Sequence, residues 1–167
     1  MRELNYKYVV TIIEVVFTSI LFAGLEYNYI LLDALPHREA RQPLIGVFYY
    51  YHLGIIIPLT SLVAFQPFIQ EIISKTRSSL SLRMTFALGV GSLLLGLILE
   101  DVGWFIFRLL APLSSDPLAY QWIRPTDYTA SIIGYFRIFG VVVPLWYLIL
   151  MPPIVAILVA LLTVPRR

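Results

Sequence analysis

Four long apolar stretches constrain the fold of this chain more than any other feature of its sequence. They cover about residues 8–35, 44–73, 80–110 and 128–164, and each reaches the roughly 20 residues that an α-helix needs to cross the hydrocarbon core of a bilayer. Short segments rich in proline, serine and charged residues separate them. The pattern predicts one all-α domain over residues 1–167, an integral membrane four-helix bundle with antiparallel, up-down topology.

The composition indicates a lipid environment. Hydrophobic residues make up 59% of the chain and charged residues only 13%, whereas soluble domains are about 45–50% apolar and about 25% charged. We therefore expect a multi-pass protein of the cell membrane, with the lipid bilayer as its first partner. A net charge of +2 and the lack of a basic helix face argue against nucleic-acid binding. The absence of cysteine excludes disulfides, thiolate metal sites and thiol nucleophiles.

The first apolar stretch is interpreted as a retained span and not as a cleaved signal peptide. It is about twice as long as the apolar region of a signal peptide, and it carries Glu14 and Glu26. It also lacks a cleavage site of the small-x-small type. We expect it to remain in the membrane and to serve as the insertion signal.

Positive charges in the loops predict the orientation, because cytoplasmic loops carry an excess of lysine and arginine. With four spans, the N-terminus, the second loop and the C-terminus share one side. That side carries seven basic residues, namely Arg2, Lys7, Lys75, Arg77, Arg83, Arg166 and Arg167. The other side carries four, namely Arg38, Arg41, Arg108 and Arg124. We therefore expect both termini in the cytoplasm.

The fourth stretch is too long for one straight crossing. Roughly 35 helical residues would make a rod of about 50 Å against a hydrocarbon core of about 30 Å. Proline removes a backbone donor and clashes with the preceding turn. We expect kinks at Pro144 and at the pair Pro152 and Pro153.

Ionisable residues inside the apolar stretches are the candidates for function. Such a residue costs about 2.5–3.5 kcal/mol at the centre of a helix in the bilayer, so it normally faces the bundle interior and has a partner. Here they are Glu14, Glu26, His52, Glu100, Asp101 and Arg137. All except Glu14 fall within about two turns of one level in the outer half. Glu14 lies alone in the inner half, and we expect it to extend towards Lys7 and water.

Helical spacing predicts how the third and fourth spans pack. On the third span, small residues and Glu100 recur every three or four positions at Gly89, Ser92, Gly96, Glu100 and Gly103. A similar stripe on the fourth span consists of Ala130, Gly134, Arg137 and Gly140. Small residues let membrane helices approach closely. We expect the two stripes to pack together with Glu100 within about 4 Å of Arg137, and a second pair between Asp101 and Arg108.

These positions predict one polar site. Glu26, His52, Glu100 and Asp101 are expected to converge on a cavity that opens towards the outer face, with Arg137 balancing its charge. Carboxylate oxygens and imidazole are ligands that iron, manganese and zinc accept, so the candidate cofactor is a divalent metal ion held by Glu26, His52, Glu100 and Asp101. The Glu-x-x-His pattern of carboxylate bundles is missing, and Arg137 would repel a cation.

Two short segments resemble a known group of proteins. Residues 99–105 (Leu-Glu-Asp-Val-Gly-Trp-Phe) carry a Glu-Asp-x-x-Trp-Phe pattern late in the third span, and residues 125–128 (Pro-Thr-Asp-Tyr) precede the last span. Both are similar to segments of a group of small, uncharacterised prokaryotic polytopic membrane proteins. The group has no known activity, so the resemblance implies only that Glu100 and Asp101 belong to the site.

Three functions are compatible with this pattern, and whether the chain is an enzyme stays open. The first is an ion-, proton- or metal-handling protein, because buried carboxylates and histidine can change protonation or bind cations. The second is a non-catalytic accessory subunit, in which the polar residues hold helices together or contact another copy or other membrane subunits. The third is an intramembrane enzyme acting on a lipid or quinone through a Glu or His acid–base group. It lacks a nucleophile and a phosphate-binding motif, which places it last.

Overall fold

The computed structural model describes residues 6–28, 52–74, 79–114, 118–131 and 133–163, and most of them are helical. Helix α1 is Tyr6–Tyr27, and a π-helical turn, His52–Ile56, leads directly into helix α2, Ile57–Ile73. Helix α3 is Ser79–Leu110 and is followed by the short helix α4, Tyr128–Ser131. A hairpin of strands β1, Tyr135–Ile138, and β2, Val141–Pro144, precedes helix α5, Leu145–Thr163.

Three helical segments of the described chain are long and apolar enough to cross a membrane: Tyr6–Tyr27, His52–Ile73 and Ser79–Leu110. They coincide with the first three predicted spans. The predicted end of the first span at residue 35 and the start of the second at residue 44 lie outside the described residues. Helix α5 has 19 residues, and its apolar part, Leu145–Leu161, is shorter than these three segments.

The helices place large apolar side chains outside and small polar ones inside. On α1, Ile13 and Phe17 are 61% and 69% exposed, whereas Thr11 and Ser19 are 2% and 1% exposed. A soluble protein rarely leaves apolar surface of this extent open to water. Lipid solvates such a surface, and small side chains inside allow the helices to approach closely. The distribution therefore fits helices that face lipid.

Helix α3 lies at the centre and packs on α1 through its glycines. A Cβ atom placed on Gly103 would lie 2.8 Å from Cβ of Ala23, and one placed on Gly96 would lie 2.9 Å from Oγ of Ser19. Only glycine fits at these approaches. The prediction that this stripe packs on the fourth span is wrong, because the stripe faces α1.

Helix α2 meets the same stripe, and α5 packs elsewhere on α3. A Cβ atom on Gly89 would lie 2.5 Å from the ring of Phe65 in α2. Gly91, which is off the stripe, is the glycine that faces α5, since its Cβ would lie 3.1 Å from Ile157. Helix α3 thus contacts α1 and α2 with one face and α5 with another.

The predicted fourth span, residues 128–164, is not one helix. A two-stranded antiparallel hairpin occupies residues 135–144, with Tyr135 opposite Pro144 and Ile138 opposite Val141. Phe139 and Gly140 form its turn with φ of 50° and 85°, the left-handed values that tight hairpin turns of type I′ require. The amide of Leu145 donates to the carbonyl of Gly134 at 2.9 Å and closes the base. Pro144 therefore ends a strand and does not kink a helix.

Substituting Gly96 tests the central contact. We expect Gly96→Ala to lower the free energy of unfolding by about 1–3 kcal/mol, because the new methyl group overlaps Ser19, Val15 and Thr60 at 3.0 Å or less. The matched control is Gly54→Ala, since a Cβ there meets nothing within 4 Å. We expect that control to change stability by no more than about 0.5 kcal/mol. Thermal unfolding in detergent measures both, and equal melting temperatures would contradict the packing.

Candidate metal site

Three of the five predicted site residues lie together. Glu26, His52 and Glu100 each offer one ligand atom, and these atoms all lie within 4.8 Å of one another. Each residue comes from a different one of the three segments that are long enough to cross a membrane. We call Glu26, His52 and Glu100 the triad.

Local structure explains how each member of the triad is positioned. Glu26 lies in the last turn of α1, one residue before its end at Tyr27. His52 is the first residue of the π-helical turn that precedes α2, and such turns are rare and frequently lie at functional sites. Glu100 lies one turn beyond Gly96 on the same face of α3, where the lack of a side chain brings α1 close.

The triad is partly exposed at Glu26 and His52 and buried at Glu100. Nε2 of His52 lies 3.7 Å from Oε2 of Glu26, and the two side chains are 14% and 16% exposed. Glu100 lies deeper, at 6% exposure, with its ligand atom within 4.8 Å of those of Glu26 and His52. Within the part of the chain that the structure describes, Oε1 of Glu100 has no hydrogen-bond partner. A buried carboxylate oxygen without a partner is costly, so it favours the arrival of a ligand.

Acidic groups lie next to Glu100 in the part of the chain that the structure describes. Glu26 and Asp101 are the charged neighbours found there. Carboxylates this close in a low dielectric cannot all ionise freely unless protons or a cation compensate them. The triad is therefore a place that attracts a positive charge.

The spacing of the triad suits a metal ion. Two ligands at about 2.0–2.1 Å from a tetrahedral zinc ion lie about 3.4 Å apart. The His52–Glu26 separation of 3.7 Å is close to that value, whereas the limit of 4.8 Å for the three ligand atoms is wider, so the side chains would have to move closer together around an ion. Three protein ligands leave at least one coordination position for water or another ligand, as in sites where the bound species exchanges or reacts. Two carboxylates with one imidazole form a donor set accepted by zinc, manganese and iron.

Asp101 is directed to a different interface. Its Oδ2 accepts a hydrogen bond from Oγ1 of Thr129 at 2.7 Å and another from the hydroxyl of Tyr147. Thr129 accepts in turn from Nε1 of Trp146 at 3.0 Å. Asp101 thereby joins α3 to α4 and α5. The three-residue group that the structure brings together does not include it.

Arg137 does not balance the charge of the triad. It lies on strand β1 with its side chain exposed, and its guanidinium is 6.0 Å from the ring of Tyr135. The predicted contact between Glu100 and Arg137 is therefore wrong, because the segment forms a hairpin and not a helix that would present Arg137 to α3. Arg137 is therefore not placed to repel a cation at the triad.

A buried salt bridge does exist, but between other residues than predicted. Arg108, which is 1% exposed, donates from Nη2 to Oδ2 of Asp127 at 3.0 Å. It also donates to the carbonyls of Gln121 and Trp122 at 2.8 and 2.7 Å. The predicted Asp101–Arg108 pair is not formed, since each residue has other partners. Arg108 ties the loop before α4 to the end of α3.

Asp127 is held in its charged form by this loop. Burial by itself raises its pKa, but hydrogen bonds from the backbone and side chain of Arg124 and from Arg108 outweigh it. The pKa of Asp127 therefore lies below its ordinary value. Sequence reasoning did not identify Asp127 as the partner of Arg108, although Asp127 belongs to the segment Pro125–Tyr128 noted above for its resemblance.

Glu14 lies apart from the triad, and both Glu14 and Lys7 are exposed on α1. It is thus a carboxylate on the same helix as Glu26 but outside the triad. This makes it a suitable control position for Glu26 and Glu100.

Comparison with known proteins finds no matching family model, no matching curated protein and no matching solved structure. The function of the chain is therefore inferred from the chemistry of the triad.

Proposed function

We propose that this chain is a multi-pass membrane protein that binds and handles a divalent transition-metal cation at Glu26, His52 and Glu100, in exchange for protons. One observation carries the proposal: ligand atoms from three separate apolar segments lie within 4.8 Å of one another. The buried Oε1 of Glu100, without a hydrogen-bond partner among the described residues, supports it.

The donor set narrows the class of ion. Calcium and magnesium prefer all-oxygen sites, so the imidazole of His52 favours manganese, iron or zinc. Copper(I) prefers thiolate and thioether ligands, and the chain has no cysteine. Metal ligands must be deprotonated, so binding a cation releases protons from the triad. A cation and protons therefore compete for the same oxygens.

The alternative of a purely structural cluster is less well supported. Other groups already join the helices: Asp101 bonds to Thr129 and Tyr147, and Arg108 bonds to Asp127. Glu26 and His52 of the triad are instead partly exposed. A cluster that only holds helices together does not need this exposure. An accessory subunit, as a homo-oligomer or with other membrane subunits, stays the second candidate function, and it predicts no metal binding.

Our proposal for the membrane arrangement is four spans with α5 as the fourth, both termini inside and the triad in the outer half. Because the chain has no cysteine, single cysteines report it directly. We expect a membrane-impermeant maleimide to label Ser131→Cys from outside and Ser79→Cys only from the cytoplasm. Both positions are exposed. Labelling of Ser79→Cys from outside would overturn the orientation.

Metal binding tests the proposed function. Purified protein in detergent is titrated with Mn²⁺, and free Mn²⁺ is followed by electron paramagnetic resonance. We expect one Mn²⁺ per chain, displacement by Zn²⁺, and release of protons into a weakly buffered solution. A protein that binds no Mn²⁺ or Zn²⁺ more tightly than detergent alone would refute metal handling and favour the accessory subunit.

A further inference from the structure

The hairpin of strands β1 and β2 presents apolar side chains to its surroundings. Side chains alternate between the two faces of a strand, so Phe136 and Ile138 share one face with their partners on β2, Val143 and Val141. Phe136, Ile138 and Val141 are 57%, 43% and 47% exposed, and Phe139 at the turn is completely exposed. We call Phe136, Ile138, Phe139 and Val141 the hairpin patch.

Neither the turn nor the packing explains why residue 139 is a phenylalanine. Its φ of 50° is a left-handed value that bulky residues rarely adopt, whereas asparagine or glycine adopts it readily. The ring adds no packing to the fold, because it is completely exposed. Backbone strain that the fold does not require is found where a side chain has a function. Phe139 therefore indicates a partner beyond the described residues.

The hairpin is held to the rest of the fold by strand β2. Val142 is 6% exposed, and its carbonyl accepts a hydrogen bond from Nε1 of Trp122 at 3.2 Å. All four residues of β1 are exposed, and among the described residues the sheet has these two strands. The outer edge of β1 therefore carries backbone N–H and C=O groups that need water or another polar partner.

The open edge and the apolar patch together select the surface of the bilayer. Hydrocarbon does not accept an open sheet edge, because its N–H and C=O groups would lack hydrogen bonds. Water is a poor solvent for a contiguous apolar surface such as the hairpin patch. The headgroup region satisfies both needs, since it offers water and polar groups next to acyl chains. The hairpin also leads directly into the apolar helix residues Leu145–Leu161, whose Ile149 is 55% exposed.

The charge of the hairpin complements a phospholipid headgroup. Arg137 is exposed and is the charged residue of the segment 133–144. Its guanidinium lies 6.0 Å from the ring of Tyr135. Tyrosine is enriched at the membrane–water interface, and arginine binds phosphate with several donors at once. A second copy paired along β1 is less well supported, because a short strand with a charged residue is a common protection against edge-to-edge pairing.

We propose that the hairpin anchors the chain at the membrane surface. The hairpin patch inserts among the acyl chains of the adjoining leaflet, and Arg137 binds the phosphate of a phospholipid. Without phospholipid, the described contact of Arg137 is the ring of Tyr135, so its contribution to stability depends on lipid. The inference goes beyond the proposed metal handling and does not depend on the triad.

Spin labelling measures the depth of the hairpin. The chain has no cysteine, so Val141→Cys carries a single nitroxide in vesicles of phosphatidylcholine and phosphatidylglycerol. Its accessibility to oxygen and to a water-soluble nickel chelate is compared with that of Ser114→Cys and Phe17→Cys, which are exposed on the loop after α3 and on α1. We expect the label at Val141 about 5–10 Å below the phosphates, the depth of interfacial elements, and between the two controls.

Three outcomes of this experiment would overturn the proposal. A nitroxide at Val141 that is as accessible to nickel as the one at Ser114 would place the hairpin in water. A nitroxide as deep as the one at Phe17 would place it in the hydrocarbon. Dipolar broadening at Val141 that disappears on dilution with unlabelled protein would assign the hairpin patch to a second copy.

Thermal unfolding tests the roles of Arg137 and Phe139. Phosphatidylglycerol added to wild-type protein in detergent is expected to raise the melting temperature, because a ligand of the folded state stabilises it. We expect Arg137→Gln and Phe139→Asn to retain less than about half of this rise. The control Arg83→Gln, which alters an exposed arginine near the start of α3, should retain all of it.

Asparagine suits the left-handed turn, so Phe139→Asn should melt no lower than the wild type when lipid is absent. A smaller rise with lipid then reports the lost ring and not a damaged fold. If phosphatidylglycerol leaves the wild type unchanged, or raises all four melting temperatures equally, the roles of Arg137 and Phe139 are refuted.

Discussion

Replacement of Glu100 by glutamine is expected to weaken Mn²⁺ binding by at least about 100-fold. Loss of a group that only supports a ligand costs about 10–100-fold in metal affinity, and Glu100 is a candidate ligand itself. Glutamine keeps the volume of the side chain but removes the anionic oxygen that the buried position supplies. The measurement is the Mn²⁺ titration, carried out on wild type and variant at the same pH.

Glu14 is the control that separates the loss of a metal ligand from the loss of one negative charge. Glu14 lies exposed on α1, so Glu14→Gln removes the same charge without touching the triad. We expect that variant to bind Mn²⁺ like the wild type, and His52→Ala to bind much more weakly. If Glu100→Gln binds Mn²⁺ normally and only melts at a lower temperature, the triad is structural and the accessory-subunit interpretation is favoured.

Replacement of Arg108 is expected to give the largest loss of stability. Breaking a buried ion pair from one side costs about 3–5 kcal/mol, because the remaining charge stays buried. Arg108→Met keeps much of the volume between Trp104 and Phe105 but removes the donors to Asp127, Gln121 and Trp122. We expect the lower part of the 3–5 kcal/mol range, since Asp127 retains Arg124 as a partner. Thermal unfolding in detergent is the measurement.

The control for Arg108 is the exposed arginine of the hairpin. Arg137→Met removes one positive charge whose described contact is the ring of Tyr135, and we expect a change within about 0.5 kcal/mol. Similar losses of stability for Arg108→Met and Arg137→Met would show that the buried hydrogen bonds of Arg108 do not stabilise the fold.

The pH dependence of stability tests whether Asp127 stabilises the fold in its charged form. The folded pKa of Asp127 is depressed, so its contribution is present above the unfolded value of about 3.9 and is lost as the pH falls through the lower folded pKa. Wild-type protein should therefore lose this contribution only below about pH 4. Asp127→Asn should melt lower at neutral pH and lose less on acidification. If the melting temperatures of wild type and Asp127→Asn fall by the same amount between pH 7 and pH 3, this assignment is contradicted.

Depth in the spans grouped Glu26, His52 and Glu100, which the structure brings together, but it also included Asp101 and Arg137, which lie elsewhere. Glu26, His52 and Glu100 lie in three apolar segments, where the distance from the end of each predicted span indicates the level. For Glu100, the spacing of three and four also predicts the face. Asp101 was harder to place, since consecutive helical residues point about 100° apart. Glu100 and Asp101 therefore reach different interfaces. Only contacts between residues distant in sequence determine which helices each of them faces.

The hairpin could not be predicted by the same means. Its residues, such as Phe136 and Val142, are apolar and aromatic or β-branched, and such residues suit both a membrane helix and a strand. Its turn has phenylalanine at φ 50°, where asparagine or glycine would have been recognised. Once the helix was assumed across residues 128–164, Arg137 was assigned to the wrong face.

The adjacency of Glu100 and Asp101 also limits how the triad can open. Asp101 is bonded to α4 and α5 through Thr129 and Tyr147, so a rotation of α3 that carried Glu100 away would break these bonds. Glu26 and His52 lie at the end of α1 and on the π-helical turn, where side chains are partly exposed. If the triad binds a cation as proposed, Glu26 and His52 are therefore the ligands that can move, and Glu100 is the one held in place.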